Sequence, residues 1–156
     1  MIYRFRVILD TKDDVFRDVE INESSTLEEL HNSIIKSFGF LGNEMASFYK
    51  TDNEWTQGDE LPLNDFGPEN PTMKDEELKT YINSKNNKLL YVYDFLNLWT
   101  FFIELMEIGE IKKGTTYPNL INSEGEVPEE APEKKFNNAQ NKSNDSNIEQ
   151  NEENFY

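Results

Sequence analysis
The chain has 156 residues and a mass of 18.3 kDa, enough for one domain of ordinary size and not for two. Its 31 acidic and 15 basic residues give a formal net charge of −16, which repels phosphate backbones, and no cluster of Lys or Arg offsets it. There is no cysteine and a single histidine, His31, which excludes disulfide frameworks, thiolate zinc sites, iron–sulfur clusters and cysteine nucleophiles.

Ile2 to Leu9 alternates, with Tyr3, Phe5, Val7 and Leu9 on one face and Arg4 and Arg6 on the other. That pattern predicts a half-buried strand. Asp10 to Asp14 reads as a turn, and Val15 to Ile21 alternates again with Val15, Arg17, Val19 and Ile21 on one face, so the two runs form a hairpin. The clearest helix follows. Ser25 is placed to cap it, and Glu28 three residues on completes a capping box. Leu27, Leu30, His31, Ile34, Ile35 and Phe38 then recur at helical spacing, and Gly39 ends the run. Met45 to Lys50 predicts a short strand, the stretch 52–58 is polar around Trp55, and 61–66 is irregular or briefly extended. Gly67 to Pro71 is a loop, and Lys74 to Ile82 favours a short helix with Leu78, Tyr81 and Ile82 as its apolar side. The strongest strand signal is the pair Leu89 to Phe95 and Trp99 to Met106. Both are rich in aromatic and branched side chains, which pack well on a pleated surface, and they predict a buried antiparallel hairpin at the centre of the sheet.

Composition changes near Asn122. Residues 123–156 hold nine acidic and three basic residues, and Asn, Glu, Ser and Gln dominate after Phe136. Such a segment cannot bury enough apolar surface to offset its ordering entropy. The expectation is therefore one α+β domain over residues 1–132 and a disordered, polar and acidic tail over 133–156. The domain is an antiparallel sheet with one main helix packed on a face, in the order ββ-α-β-(α)-ββ. No apolar run approaches a membrane span. Met1 opens directly into an alternating strand rather than a signal peptide, so a cytoplasmic location is expected.

Three stretches carry a family resemblance: Leu30-His31-x-x-Ile34 with Gly39-Phe40; Tyr91 to Phe95 with Trp99 and Ile103; and Tyr117-Pro118 with Gly125 and Pro128-Glu129-Glu130. In that order, over roughly residues 2–132, the chain resembles the Ri-plasmid ORF-3-like (plasmid pRi ORF-3-like) domain family. The resemblance implies an α+β fold, a link in some members to plasmids and mobile elements, and no established biochemical activity. The chain departs from the family pattern in several places. Leu96 and Asn97 stand for Gly-Asp, Phe101 for His, Leu120 for Cys and Val127 for the first Pro. A polar site built on that Asp, His and Cys is absent here.

Candidate residues are few. His31 could serve as a general base or ligand, or as a helix-packing histidine satisfied by a local hydrogen bond. Asp94 interrupts an apolar run and could cap the following turn through the amides of Leu96 to Leu98, or act as a catalytic or metal-binding acid if Glu104 or Glu107 on the facing strand came near it. Tyr49, Trp55 and Phe66, with Phe48, could form an exposed aromatic patch or cover one end of the core. No EF-hand loop, Gly-rich phosphate loop or His-Glu-x-x-His motif occurs. The function expected is a non-catalytic module binding an unknown protein partner, without cofactor, metal, membrane or direct nucleic-acid contact. The rivals are a mobile-element accessory protein acting near nucleic acid and a carboxylate-based enzyme.

Overall fold
A computed structural model describes residues 1–64 and 71–133. The elements in chain order are β1 (Ile2–Leu9), β2 (Phe16–Asn22), α1 (Leu27–Phe38), β3 (Ala46–Lys50), β4 (Glu60–Pro62), a 3₁₀ turn (Met73–Asp75), α2 (Leu78–Tyr81), β5 (Lys88–Tyr93), β6 (Trp99–Gly109) and β7 (Asn119–Glu124). The strands form one antiparallel sheet in the order β4-β3-β5-β6-β1-β2-β7. The fold is thus α+β with one main helix, and the β5–β6 hairpin lies at the sheet's centre as its apolar pattern requires.

Alternation divides the sheet into two faces. Phe5, Val7, Val19, Ile21, Phe48, Tyr91, Phe101 and Ile103 are all at most 1% exposed and meet α1, which contributes Leu27, Leu30, Ile34 and Phe38. Burying such side chains supplies about 1.5–3 kcal/mol each, so the α1–sheet interface is the main source of stability. The opposite face is half-covered. Arg6 holds Asp18 through two bonds of 2.9 and 3.0 Å while lying over the Phe16 ring, and Asn122 donates to the same carboxylate at 3.2 Å. The Arg6 guanidinium and Asn122 overcome the effect of burial and hold the Asp18 carboxyl below its usual range.

The helix begins one residue later than the sequence predicts. Thr26, not Ser25, is the cap: its Oγ1 accepts from the Glu29 amide at 3.2 Å, and Glu29 Oε1 accepts from the Thr26 amide at 2.8 Å. Either pair fits a capping box, but the Ser25 carbonyl accepts from the Leu78 amide and the Leu27 amide bonds to Glu76, which holds Ser25 in the bend that precedes the helix. Gly39 ends the helix at φ 79°, a left-handed conformation that glycine adopts without a Cβ clash. At that end Arg17 is buried. Its Nε donates to the Ser37 carbonyl and its Nη1 to those of Phe16 and Glu124, while the guanidinium lies over the Phe38 ring. The cation sits at the negative end of the helix dipole.

Two other expectations change. The stretch 74–82 is not one helix: Glu76 and Glu77 are extended, Thr26 bridges to Glu77, and the segment divides into the 3₁₀ turn and α2. A seventh strand, β7, lies where the sequence predicts none. It pairs with β2, with an extra residue, Ile121, at a bulge. The expected tail lies outside the described residues from Lys134 onward. Among the described residues, no helix is long and apolar enough to cross a membrane.

Candidate interaction site at the β5–β6 turn
After Tyr93 the chain leaves the sheet and reverses. Asp94 takes φ 67° and Leu98 φ 57°, two left-handed non-glycine residues that cost about 1–2 kcal/mol each unless compensated. The compensation comes from Asp94. Its Oδ1 accepts from the amides of Leu96 (3.1 Å) and Asn97 (3.4 Å), its Oδ2 accepts from Asn97 Nδ2 (2.6 Å), and its carbonyl accepts from the amides of Asn97 and Leu98. Its own amide donates to the Met45 carbonyl at 2.7 Å and ties the turn to the start of β3. Asp94 is 8% exposed, and every hydrogen bond its carboxylate makes serves this turn. Glu104 and Glu107 do not approach it. Glu104 pairs with Lys88 at the far end of the hairpin, six residues from Asp94 along β5, or about 20 Å at strand rise. Glu107 lies beyond it, 3.5 Å from Arg4.

Two clefts open beside this turn. The first, of ≈ 470 Å³, lies between the α1–β3 connection and residues 127–129 and is walled by Phe40, Tyr93 and Trp99. Phe40 stacks on Tyr93 at 4.9 Å and meets Trp99 at 5.0 Å. The second, of ≈ 510 Å³, lies between Leu96–Trp99 and residues 129–133. The strap that separates them begins at Gly125, φ 79°, where a Cβ would collide with the Asp14 carbonyl oxygen, so only glycine lets the chain turn across the end of the sheet. Val127 and Ala131 anchor the strap on the core.

The rim combines apolar and acidic groups. Leu41 is 88% and Leu96 93% exposed, and Phe95 is 38% exposed beside them. Glu44, Glu129, Glu130 and Glu133 line the clefts, and among the described residues no Lys or Arg does. The sequence reading missed Leu41, Leu96 and the strap as site components. Gly125 and Pro128 were the signal available for the strap, but exposure of the two leucines is not written in any periodicity.

His31 lies elsewhere, 3% exposed on the sheet side of α1. Its Nδ1 is 2.6 Å from the Tyr91 hydroxyl, and burial lowers its pKa from 6.5 to about 4, so the imidazole is neutral at pH 7. Tyr91 is fully buried and its phenol is pushed well above its ordinary value, again by burial. The aromatic candidates are also divided. Phe48 is in the core against Tyr91, Tyr49 is half-buried on the opposite face, and Trp55 packs its ring on Phe102 at 5.0 Å with Lys88 Nζ 5.6 Å away. Phe66 lies outside the described residues. Among the described residues, no group of three or more His, Asp or Glu side chains is arranged to hold a metal ion.

The residues that converge at the turn, Gly39-Phe40, Tyr93-Asp94, Trp99 and Pro128-Glu129, come from all three stretches that carried the resemblance. The family model described as plasmid pRiA4b ORF-3-like protein matches residues 1–154. The chain belongs to that family. The match reaches further along the chain than the three motif stretches alone. Among solved structures, the fold is similar to that of a Methanosarcina mazei Go1 protein of unknown function, MM3350. The TM-score is 0.69 at 21% identity, covering 78% of this chain and 68% of that one, so the likeness is one of fold. No curated protein matches the chain.

Proposed function
We propose that this plasmid pRiA4b ORF-3-like chain is a non-catalytic binding module acting in the cytoplasm, and that its contact site is the pair of clefts at the β5–β6 turn. The observation that carries this reading is the direction of the polar groups. The Asp94 carboxylate is spent on its own turn and His31 on Tyr91, so neither offers a free proton acceptor to a bound molecule. What the site does offer is two nearly fully exposed leucines over aromatic walls, rimmed by carboxylates. Exposed apolar groups of this size serve as anchors at protein interfaces. The acidic rim selects a partner surface bearing Lys or Arg around an apolar recess. A protein partner is favoured over nucleic acid, because the −16 charge opposes phosphate.

The test is affinity purification with the full chain and with a Leu41→Asp/Leu96→Asp variant. The expected result is a partner retained by the parent and lost by the variant, with thermal unfolding of the two proteins unchanged. Equal capture by both would remove the clefts as the contact site, and turnover of a small-molecule substrate by the purified chain would remove the non-catalytic reading.

A further inference from the structure
The two edges of the sheet are built differently. β4 is three residues long and carries Glu60 and Pro62, a charge and a missing N–H, both of which discourage another strand from pairing there. β7 is six residues long and uncharged from Asn119 to Ser123, with Leu120 46% and Ile121 37% exposed. Nothing among the described residues pairs with its outer side.

Beside that edge lies a slot of ≈ 250 Å³ between β7 and α1, lined by Val19, Ser33, Lys36, Ser37, Pro118 and Leu120. The bulge at Ile121 brings Leu120 opposite Val19 on the helix side, so its side chain forms one wall of the slot. On the other face of the sheet, Glu20 and Glu124 stand along β2 and β7, and neither has an ion-pair partner among the described residues.

We propose that β7 and α1 form a second binding site, separate from the turn clefts, which takes a short extended peptide segment of a partner protein as an added strand. Open backbone groups on β7 supply its hydrogen bonds, and an apolar side chain enters the slot beside Leu120. Alternate residues of the added strand point to the opposite face, where Glu20 and Glu124 select Lys or Arg. The occupant is therefore a segment alternating apolar and basic residues. A second copy of the chain is a poorer occupant. The bulge breaks the edge into short runs unsuited to a long continuous ladder, and the −16 charge repels an identical molecule.

The experiment titrates the isotope-labelled full chain with the peptide Lys-Val-Lys-Ile-Lys-Val, following amide shifts and fluorescence polarisation. Saturable shifts are expected at Asn119–Glu124 and Ser33–Ser37. Affinity should fall about tenfold or more for Leu120→Asp, for the peptide N-methylated at alternate amides, and for Lys-Gly-Lys-Gly-Lys-Gly, which keeps the charge without the apolar groups. The Leu41→Asp/Leu96→Asp variant should bind the peptide like the parent, which separates this site from the clefts. Four outcomes would overturn the proposal: no saturable binding, equal affinity for the N-methylated or glycine peptide, shifts confined to the turn clefts, or a concentration-dependent dimer formed through β7.

Discussion

The interior between α1 and the sheet and the turn end of the β5–β6 hairpin each hold a residue suited to proton transfer, and each commits it to the fold by a different route. In the interior, burial does the work. His31 is sealed against Tyr91, loses its charge and becomes part of a dry core. At the turn, local hydrogen bonding does it: Asp94 is also largely covered, and its oxygens are filled by the turn's own amides. The difference between the regions is in what surrounds these residues. Interior neighbours are packed rings, so change there costs stability. Turn neighbours include Leu41 and Leu96, which contribute little to stability and remain available for contact.

This contrast predicts a graded series. The largest effect belongs to Phe101→Ala. That ring is fully buried and 4.8 Å from Phe38; its removal should cost about 3–5 kcal/mol in urea unfolding. A cost below about 1 kcal/mol would mean that the interior is looser than described.

Next comes pH. The ordinary pKa of His31 is 6.5 and its folded value is about 4, so between these pH values the unfolded chain binds a proton that the folded chain does not. Stability contributed by neutral His31 is therefore present above about pH 6.5 and lost as pH falls toward 4. The loss amounts to about 3 kcal/mol at most. Protonation of the many carboxylates acts in the same range, so the quantity to measure is the difference between parent and His31→Asn. That difference should shrink steadily as pH falls through the window. A flat difference curve would place the imidazole in solvent.

Asp94 should show an intermediate effect with a chemical signature. Asp94→Asn keeps an acceptor for the Leu96 amide and should cost less than about 1 kcal/mol, whereas Asp94→Leu leaves the turn amides without their partner and should cost about 1–3 kcal/mol. Equal melting of both variants and the parent would show that the turn does not depend on the carboxylate. The smallest stability effect, within about 0.5 kcal/mol, is expected for Leu41→Asp/Leu96→Asp, even though this variant should abolish partner capture.

The interior was readable from sequence because burial imposes a period. Alternation in β1 and β6 and the 3.6-residue spacing of α1 each mark the face that packs. β7 was not readable for the opposite reason. It is exposed along nearly its whole length, rich in Asn and Ser, and held to β2 by backbone pairing, so no apolar pattern records it. The single helix expected over 74–82 failed because backbone bonds from Leu27 to Glu76 and from Leu78 to Ser25 hold its middle extended, a contact with a distant segment that local propensity does not register. At the candidate site, the motif residues were visible as a resemblance and Asp94 as an interruption of an apolar run. The exposed leucines were not, since a leucine looks the same in sequence whether it faces the core or solvent. Trp55 likewise found its partner, Phe102, far along the chain.

The claim that His31 is committed to the fold has a direct test, because it is the chain's only histidine. His31 gives one set of imidazole resonances in the folded protein, which can be followed by NMR from pH 8 downward without assignment ambiguity. The expected result is a neutral ring through pH 6 and a midpoint at about 4, reached only as the fold begins to fail. A reversible midpoint near 6.5 or above in the intact fold would contradict it, because an imidazole that titrates freely at neutral pH is exposed or paired with an acid and is available for chemistry.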